Sequence, residues 1–329
     1  MRKRLPAVIL TIVLLIQAFS VFSYSRYIST NNTANIINGN VAERPEDANK
    51  PFTMIWFTDS QYYAESYPMI FDFLGDWFVK EYRRGAFDYI INTGDIVNKA
   101  SKTEQWEVAD RNFRKLDRSN VPYGLVAGNH DVSINGLNYS MFGKYFGEAR
   151  YKRNSWYGGS IDNNYCHYDL LSFGKHGFII LYLGYNTAYS QETVKWANNA
   201  LEKHSDRTAV LALHEYLEHN GALTKTARNI YKNIVINNDN VALVLCGHNH
   251  GIKRNVKTIT KSDGSSRKVL EILSDYQDAP HGGNGYLRYL HFYPSVGMLK
   301  VVTYSPYTNN FNFFKGNSDS FSESISLTH

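Results

Sequence analysis

Short apolar runs alternate along the chain with longer segments in which apolar residues recur every three or four positions. Short runs bounded by Gly, Asp or Asn are typical of strands, whereas the longer spacing is typical of amphipathic helices. The pattern therefore predicts an α/β fold. The predicted strands are 52–58, 89–92, 123–127, 166–173, 178–184, 209–213, 241–246, 256–259, 269–274 and a hairpin within 286–304 that turns near 294–297.

Helices are predicted between these strands. The first follows Pro68 and places Ile70, Leu74 and Phe78 on one face. Ser101 and Glu104 have the spacing of a capping box, which predicts that a second helix starts there. Two more are predicted near 190–203 and 225–236, whereas segment 132–165 is rich in Gly, Asn and Tyr and shows no clear period. Two packed sheets flanked by helices accommodate this order of elements.

The two ends of the chain differ from the central part. Arg2, Lys3 and Arg4 precede an apolar run over 5–22, which predicts a signal peptide, 1–23, cleaved after Ser23. The run is almost long enough to cross a bilayer, so an uncleaved membrane anchor remains the alternative. In both cases the protein is expected outside the cytoplasm or at the cell surface. A polar linker, 24–50, a folded domain, 51–310, and a polar C-terminal tail, 311–329, are predicted to follow.

Charge and cysteine content exclude some functions. The formal net charge is +5, but three of these charges belong to the basic start of the predicted signal. The domain is thus too weakly basic for specific nucleic-acid binding to be expected. Cys166 and Cys246 both lie in strand patterns and are predicted to be core residues, although one disulfide remains open in an exported chain.

Polar side chains cluster where five of the predicted strands end. In an open α/β sheet these carboxyl ends meet at one edge, where ligands bind. The residues concerned are Asp59 and Gln61, Asp95, Asn129 with His130 and Asp131, His214, and His248 with His250. Glycines precede Asp95, Asn129 and His248, and serve either a close backbone approach or a tight turn.

These residue types point to metal chemistry. Carboxylates packed together repel one another, and divalent cations remove that cost. Oxygen and imidazole donors without thiolates suit Mn, Fe, Zn or Co. The donors exceed the needs of one ion, whereas two ions that share a carboxylate would use them. Such a pair, about 3.5–4 Å apart, clamps a phosphate and generates a hydroxide at neutral pH.

The five motifs, in this order, resemble those of the calcineurin-like metallophosphoesterases. They read Asp59-x-Gln61, Gly94-Asp95, Gly128-Asn129-His130-Asp131, His214 and Gly247-His248-Asn249-His250. The resemblance covers roughly residues 52–306 and implies an α/β/β/α sandwich of two central mixed sheets. It also implies hydrolysis of a phosphate mono- or diester by attack of a metal-bound hydroxide.

The resemblance also implies a role for each motif residue. Asp95 would bridge both metals, and Asp59 and His250 would bind the first metal. Asn129, His214 and His248 would bind the second metal. His130 would act on the leaving group or on the phosphate charge, so His130 and Asp95 are the predicted catalytic residues.

Gln61 departs from the family pattern, which has an imidazole at this position. An amide oxygen is a weaker, neutral donor, so Gln61 either binds the first metal or only hydrogen-bonds a bound water. The departure is also the single observation in favour of an alternative function, a surface binding protein that keeps the fold without turnover.

Other residues are weaker candidates. Asn129, His130, Tyr62 and Arg288 are predicted to contact the substrate, Arg288 through the phosphate. Asp131 is expected to hold the loop of His130 by hydrogen bonds. Insert 132–165 is the expected source of substrate selectivity, because long loops near a site often have that role. The substrate, the metal and the oligomeric state stay open.

Overall fold

The structure of the chain is a computed structural model that describes residues 50–133, 135–261, 263–316 and 318–328. The predicted signal and almost all of the predicted linker lie outside these ranges. Within them, none of the helices combines the length and apolar character needed to cross a membrane.

The first sheet has seven strands. Its order is β13-β12-β11-β1-β2-β3, with β14 also paired to β12. Strands β1, β2 and β3 run parallel, whereas β11 to β14 pair antiparallel. Their bounds are Phe52–Phe57 (β1), Tyr89–Asn92 (β2), Tyr123–Leu125 (β3), Leu287–Tyr293 (β11), Met298–Ser305 (β12), Asn310–Phe311 (β13) and Phe321–Ser324 (β14).

The second sheet also has seven strands, in the order β4-β5-β6-β7-β8-β10-β9. Strands β6, β7, β8 and β10 are parallel. Strands β5 and β9 pair antiparallel with β6 and β10, and β4 pairs antiparallel with β5. Their bounds are Tyr157–Ile161 (β4), Cys166–Phe173 (β5), His176–Leu183 (β6), Thr208–Leu213 (β7), Val241–Cys246 (β8), Gly251–Thr260 (β9) and Ser266–Asp275 (β10).

Helices cover the outer faces of both sheets. Short single turns lie at Thr187–Tyr189, Pro280–Gly283 and Pro294–Val296, and a π-helical turn, Tyr231–Val235, continues the helix Lys225–Ile230. The helices are Gln61–Glu65 (α1), Pro68–Arg83 (α2), Thr103–Arg118 (α3), Ser140–Phe146 (α4), Glu148–Tyr151 (α5), Gln191–Lys203 (α6) and Lys225–Ile230 (α7).

The alternation of side chains along β1 shows how the layers form. Ile55 and Phe57 pack with the helices of the first sheet. Met54 and Trp56 point the other way, into a core shared with strands of the second sheet. Because successive side chains of a strand face opposite sides, one buried strand joins two cores. The predicted α/β/β/α sandwich is therefore confirmed.

Three sequence expectations differ from the structure. The insert at 132–165 contains α4, α5 and β4, and Phe142 and Phe146 bury their rings against the first core. The capping box is wrong, because α3 begins at Thr103 without a side-chain cap.

The predicted end of the folded domain at residue 310 is also wrong, because the segment that follows packs against the domain. Strand β14 pairs with β12 along 298–301, and Asp319 is fully buried. The Asp319 carboxylate accepts hydrogen bonds from the Tyr276 hydroxyl at 2.6 Å and the Phe313 backbone N–H at 2.7 Å. Polar composition suggested a solvated segment, but these polar atoms have partners inside the fold.

Candidate metal centre

The parallel strands bring the predicted ligand loops to one edge of the sandwich. Asp59 follows β1, Asp95 follows β2, and His214 follows β7 in the other sheet. Their ligand-type atoms all lie within 4.8 Å of one another, and all three side chains are buried. Residues far apart in sequence therefore meet where the two sheets come together.

Asp95 lies in the middle of this group. Its Oδ2 is 3.2 Å from His214 Nε2 and accepts a 3.4 Å hydrogen bond from Gln61 Nε2. Its Oδ1 accepts a 2.9 Å hydrogen bond from the His130 backbone N–H. One carboxylate thus contacts groups on both sides, as a bridging ligand must.

Asn129, His214 and His248 form one side of the centre. Asn129 Oδ1 lies 2.9 Å from His214 Nε2 and 2.8 Å from His248 Nδ1. The other ring nitrogen of His214 lies 3.0 Å from the Thr93 carbonyl oxygen. A carbonyl that accepts one imidazole N–H leaves the other nitrogen available for a metal.

His130 lies at the rim. Its Nδ1 is 2.8 Å from the Asn98 carbonyl oxygen, which accepts the N–H and leaves Nε2 towards the centre. Nε2 is 3.9 Å from Asp95 Oδ2, and 39% of the side chain is exposed. The ring is therefore oriented and open to solvent, as a group that acts on a substrate should be.

Gln61 and His250 lie on the other side of Asp95, joined by Gln277, which sequence reasoning missed. Gln61 Nε2 donates to Gln277 Oε1, and Gln277 Nε2 donates to His250 Nε2. The other ring nitrogen of His250 pairs with the Asp278 carboxylate. The Gln277 amide thus connects Gln61, which takes the place of the family's imidazole, to His250.

The loop after β10 is a sixth contributor to the edge. Asp275 ends β10 with 1% of its surface exposed, and its Oδ1 accepts a 2.8 Å hydrogen bond from the Gln277 backbone N–H. A signal for this loop exists in the sequence, because a buried apolar run leads directly into Asp275 and Gln277. The rule that indicated the other five loops applies here as well.

Two glycines allow the carboxylates to approach the neighbouring loops. A Cβ on Gly128 would lie 2.2 Å from Asp95 Oδ1, and a Cβ on Gly247 would lie 2.1 Å from Asp59 Oδ2. Any other residue would displace these carboxylates, since real contacts are never so short. Of the two roles considered for these glycines, close approach is the one that the structure supports.

Three predicted ligands have left-handed backbone conformations. The φ angles are 52° at Asp59, 51° at Asp95 and 76° at His248. Such conformations cost about 1–3 kcal/mol for residues other than glycine and cluster at functional sites. The surrounding sheets therefore hold these loops in backbone conformations that are unfavourable for the isolated residues.

The chain was compared with models of known protein families. The family model of the calcineurin-like phosphoesterases matches residues 53–251. The match begins in β1, ends just after His250 and covers more than half of the chain. The chain belongs to the calcineurin-like phosphoesterase family. This family comprises hydrolases that act on phosphate esters, and the resemblance inferred from the motifs is confirmed.

The chain is also similar to individual proteins. The chain is 43% identical over 282 residues to the uncharacterized protein YvnB of Bacillus subtilis (strain 168); the match covers 84% of this chain and 22% of YvnB. The chain thus spans about a fifth of that relative. The purple acid phosphatase PPD1 of yellow lupin (Lupinus luteus) shares the fold at 12% identity and a TM-score of 0.56, over 84% of this chain and 54% of that one.

This edge of the sandwich brings together more carboxylates than the neighbouring positive charges neutralise. Burial raises the pKa of Asp59 well above its usual value, and the charge of Asp275 adds to the effect. Burial also raises the pKa of Asp131 to about 7 and that of Asp275 to about 6, with the charge of Asp95 acting in the same direction. A divalent cation would hold such groups ionised.

In the metal-free protein, a protonated His214 supplies the positive charge that stabilises the Asp95 carboxylate. Burial would raise the pKa of Asp95, but the charge of His214 outweighs it and the pKa is lowered. Burial opposes protonation of His214, yet Asp95 and Asp59 raise its pKa to about 10. Burial and the charge of His214 lower the pKa of His248 to about 4. Metal binding must therefore displace the His214 proton.

The donor set fits the metal ions of this phosphoesterase family. It combines carboxylate, amide and imidazole donors without thiolate, which suits Mn, Fe, Zn or Co. Gln61 Oε1 and Asp275 Oδ2 are buried acceptors for which the described residues provide no hydrogen-bond donor. Leaving a buried acceptor unsatisfied costs about 1–3 kcal/mol, and a cation satisfies such oxygens.

The substrate-contact prediction is wrong for Arg288. Its side chain is 1% exposed, donates from Nε to the Tyr276 hydroxyl at 3.1 Å and lies 3.8 Å from the Asp319 carboxylate. Its position on β11, between β1 and β12, buries it inside the fold. Tyr62 is half-buried on α1, beside Gln61, and its substrate contact stays a prediction.

Two expectations about structural residues are confirmed. The Asp131 carboxylate accepts hydrogen bonds from the backbone N–H groups of Ile96, Val97 and Gly128 at 2.8–2.9 Å, which ties the His130 loop to the Asp95 loop. Cys166 and Cys246 are both buried and unpaired with each other.

Proposed function

We propose that the chain hydrolyses a phosphate mono- or diester at a dinuclear metal centre. The observation that carries the proposal is the position of Asp95. Its carboxylate lies within 3.4 Å of ligand-type side chains on both sides, His214 and Gln61. A shared carboxylate between two donor groups is what a pair of metal ions requires.

Each side of Asp95 has donors for one ion. Asn129, His214 and His248 would hold one ion, and Asp59 and His250 would hold the other. When bound, the ions supply polarisation of the phosphate oxygens and a lower pKa of the attacking water. The protein excludes solvent around the ligands, since Asp59, Asp95 and His214 are at most 2% exposed.

His130 supports the departure of the leaving group. Its Nε2 lies at the rim, 3.9 Å from Asp95 Oδ2, and its Nδ1–H bond to the Asn98 carbonyl oxygen fixes the ring orientation. From this position Nε2 can donate a proton to a leaving oxygen or place positive charge beside the phosphate.

An assay on aryl phosphate esters tests this proposal. The full chain, loaded with Mn²⁺, should cleave an aryl phosphate monoester or diester. His130→Gln should lower kcat by about 10²–10⁴-fold without loss of bound metal, because general acid catalysis contributes that much. The matched control is His219→Gln, an exposed histidine outside the five motifs, which should keep wild-type kcat.

The assay also decides against the alternative. A protein that binds two ions but cleaves neither ester would contradict the proposal and favour a binding protein. Turnover that survives both His130→Gln and complete chelation would contradict the assigned site.

We further propose that the protein acts outside the cytoplasm, with a membrane or cell-surface association through its N-terminus when the signal is not cleaved. Support comes from the basic start and the apolar run over 5–22. Fractionation of cells that express the full chain should recover activity in the medium or the membrane. Activity confined to the cytosol would contradict the proposal.

A further inference from the structure

The side of the centre that would hold the first metal has one imidazole fewer than the family motif. Three side chains contact one another at the position of the missing imidazole. Gln61 stands in the motif itself, Gln277 comes from the loop after β10, and His250 from the loop after β8. They form a continuous chain of contacts, with Gln277 in the middle.

His250 is oriented as a metal ligand. Its Nδ1 pairs with the Asp278 carboxylate, which accepts the N–H, and so the lone pair of Nε2 points to the Gln277 amide. A histidine held by a carboxylate on one nitrogen commonly binds a metal with the other. The Gln277 amide thus occupies the position towards which a ligand nitrogen points.

Two buried oxygens beside Gln277 have unused capacity for a cation. Gln61 is 1% exposed and Gln277 is 9% exposed. Gln61 Oε1 has no donor among the described residues, nor does Oδ2 of Asp275, two residues before Gln277. The oxygen and nitrogen ends of an amide have the same shape, so one side-chain position serves either as a hydrogen-bond donor or as an oxygen ligand.

We propose that Gln277 is the ligand that replaces the missing imidazole, and that its amide oxygen binds the first metal together with Asp59, Gln61 and His250. This inference rests on the proposed dinuclear function. Two neutral amide oxygens in place of one imidazole favour a harder ion, so the first site should prefer Mn²⁺ to Zn²⁺.

Metal stoichiometry tests the inference without recourse to activity. The metal-free full chain is titrated with Mn²⁺, and bound ions are counted by elemental analysis. The wild-type should bind two ions, and Gln277→Leu should bind one. The matched control, Gln191→Leu, changes an exposed glutamine at the start of α6 and should bind two.

A second variant separates ligand loss from misfolding. Gln61→His in the Gln277→Leu background restores the imidazole of the family motif and should return the stoichiometry to two. Two ions in Gln277→Leu itself, with a wild-type titration curve, would overturn the inference and leave the proposed function intact. A wild-type protein that binds fewer than two ions would overturn the dinuclear proposal and this inference with it.

Discussion

Gly128 shows how a residue without a side chain determines the position of a ligand. It follows β3, whereas Asp95 follows β2, and the two strands are parallel neighbours. A Cβ at position 128 would lie 2.2 Å from Asp95 Oδ1 and 2.4 Å from the Asp95 backbone nitrogen. Backbone on one side and a carboxylate on the other leave no space for a methyl group.

Gly128→Ala should therefore weaken metal binding although no ligand is changed. We expect a 10–100-fold loss of Mn²⁺ affinity, roughly that of changes to groups that orient ligands, measured by titration of the metal-free protein. The control is Gly143→Ala, whose Cβ first meets the side chain of exposed Asn163 at 2.7 Å. Equal affinities in Gly128→Ala and wild-type would mean that Asp95 tolerates displacement.

Sequence reasoning indicated most of the centre at this scale. Polar residues after buried strands predicted five of the six loops that meet at the edge. The sixth, with Asp275 and Gln277, follows the same rule but lies outside the family motifs. The prediction that Arg288 contacts the substrate was wrong for a different reason. An arginine in a strand is usually solvated, whereas Arg288 is buried with Asp319 as its partner. Asp319 lies 31 positions away, in a segment whose polar composition suggested no regular structure.

At the scale of elements, the pattern of apolar and polar residues predicted the strands more reliably than composition predicted the structure of the connecting segments. Strands β2, β5 and β8 match their predicted ranges, because short runs of strand-forming residues bounded by Gly, Asp or Asn are typical of strands. Helices α4 and α5 have seven and four residues, too short to form alone. They are helical because rings such as Phe142 and Phe146 pack into the first core, which no local pattern reveals.

Asp319 in the C-terminal segment tests how much the packing of this segment stabilises the fold. Asp319→Ala would leave the buried Arg288 guanidinium without the carboxylate that lies 3.8 Å from it. Removing one partner of a buried pair costs about 3–5 kcal/mol. We expect a decrease of that size in the free energy of unfolding, measured in urea. The buried Tyr276 hydroxyl would also lose an acceptor.

Glu323→Ala is the matched control on β14. Glu323 pairs with Arg254 at 3.3 Å, but both side chains are about a quarter or more exposed. Surface pairs of this kind contribute about 0–1 kcal/mol, so this variant should stay near wild-type. Similar small effects in both variants would show that the segment after β13 adds little to the folded state.

At the scale of the whole molecule, two sheets share one core, and this arrangement is what brings six loops to one edge. The sandwich class was predictable from the order of elements. The order of strands within each sheet was not, because β11 inserts beside β1 from more than two hundred residues away. Long-range pairings of this kind depend on which apolar faces fit together, and a linear pattern contains no such information.

The core between the sheets also predicts how acid unfolds the molecule. His167 on β5 is 3% exposed, and its ring stacks on Tyr182 at 4.3 Å between centroids. Burial lowers its pKa to about 3, whereas an unfolded chain has the ordinary value near 6.5. The unfolded state therefore binds the extra proton between these values. The stability tied to neutral His167 is complete above about pH 6.5 and is lost as pH falls towards 3.

His167→Phe should flatten this dependence, because a phenyl ring keeps the stacking and cannot take up a proton. Between pH 7 and pH 4.5 the wild-type should lose on the order of 2–3 kcal/mol more free energy of unfolding than the variant, measured by urea titration at each pH. Other titrating groups, including those of the metal centre, contribute equally to both proteins and cancel in the difference. The exposed His219→Phe variant should follow the wild-type curve. Parallel curves for wild-type and His167→Phe would mean that His167 gains a proton without unfolding, and that the core between the sheets admits charge.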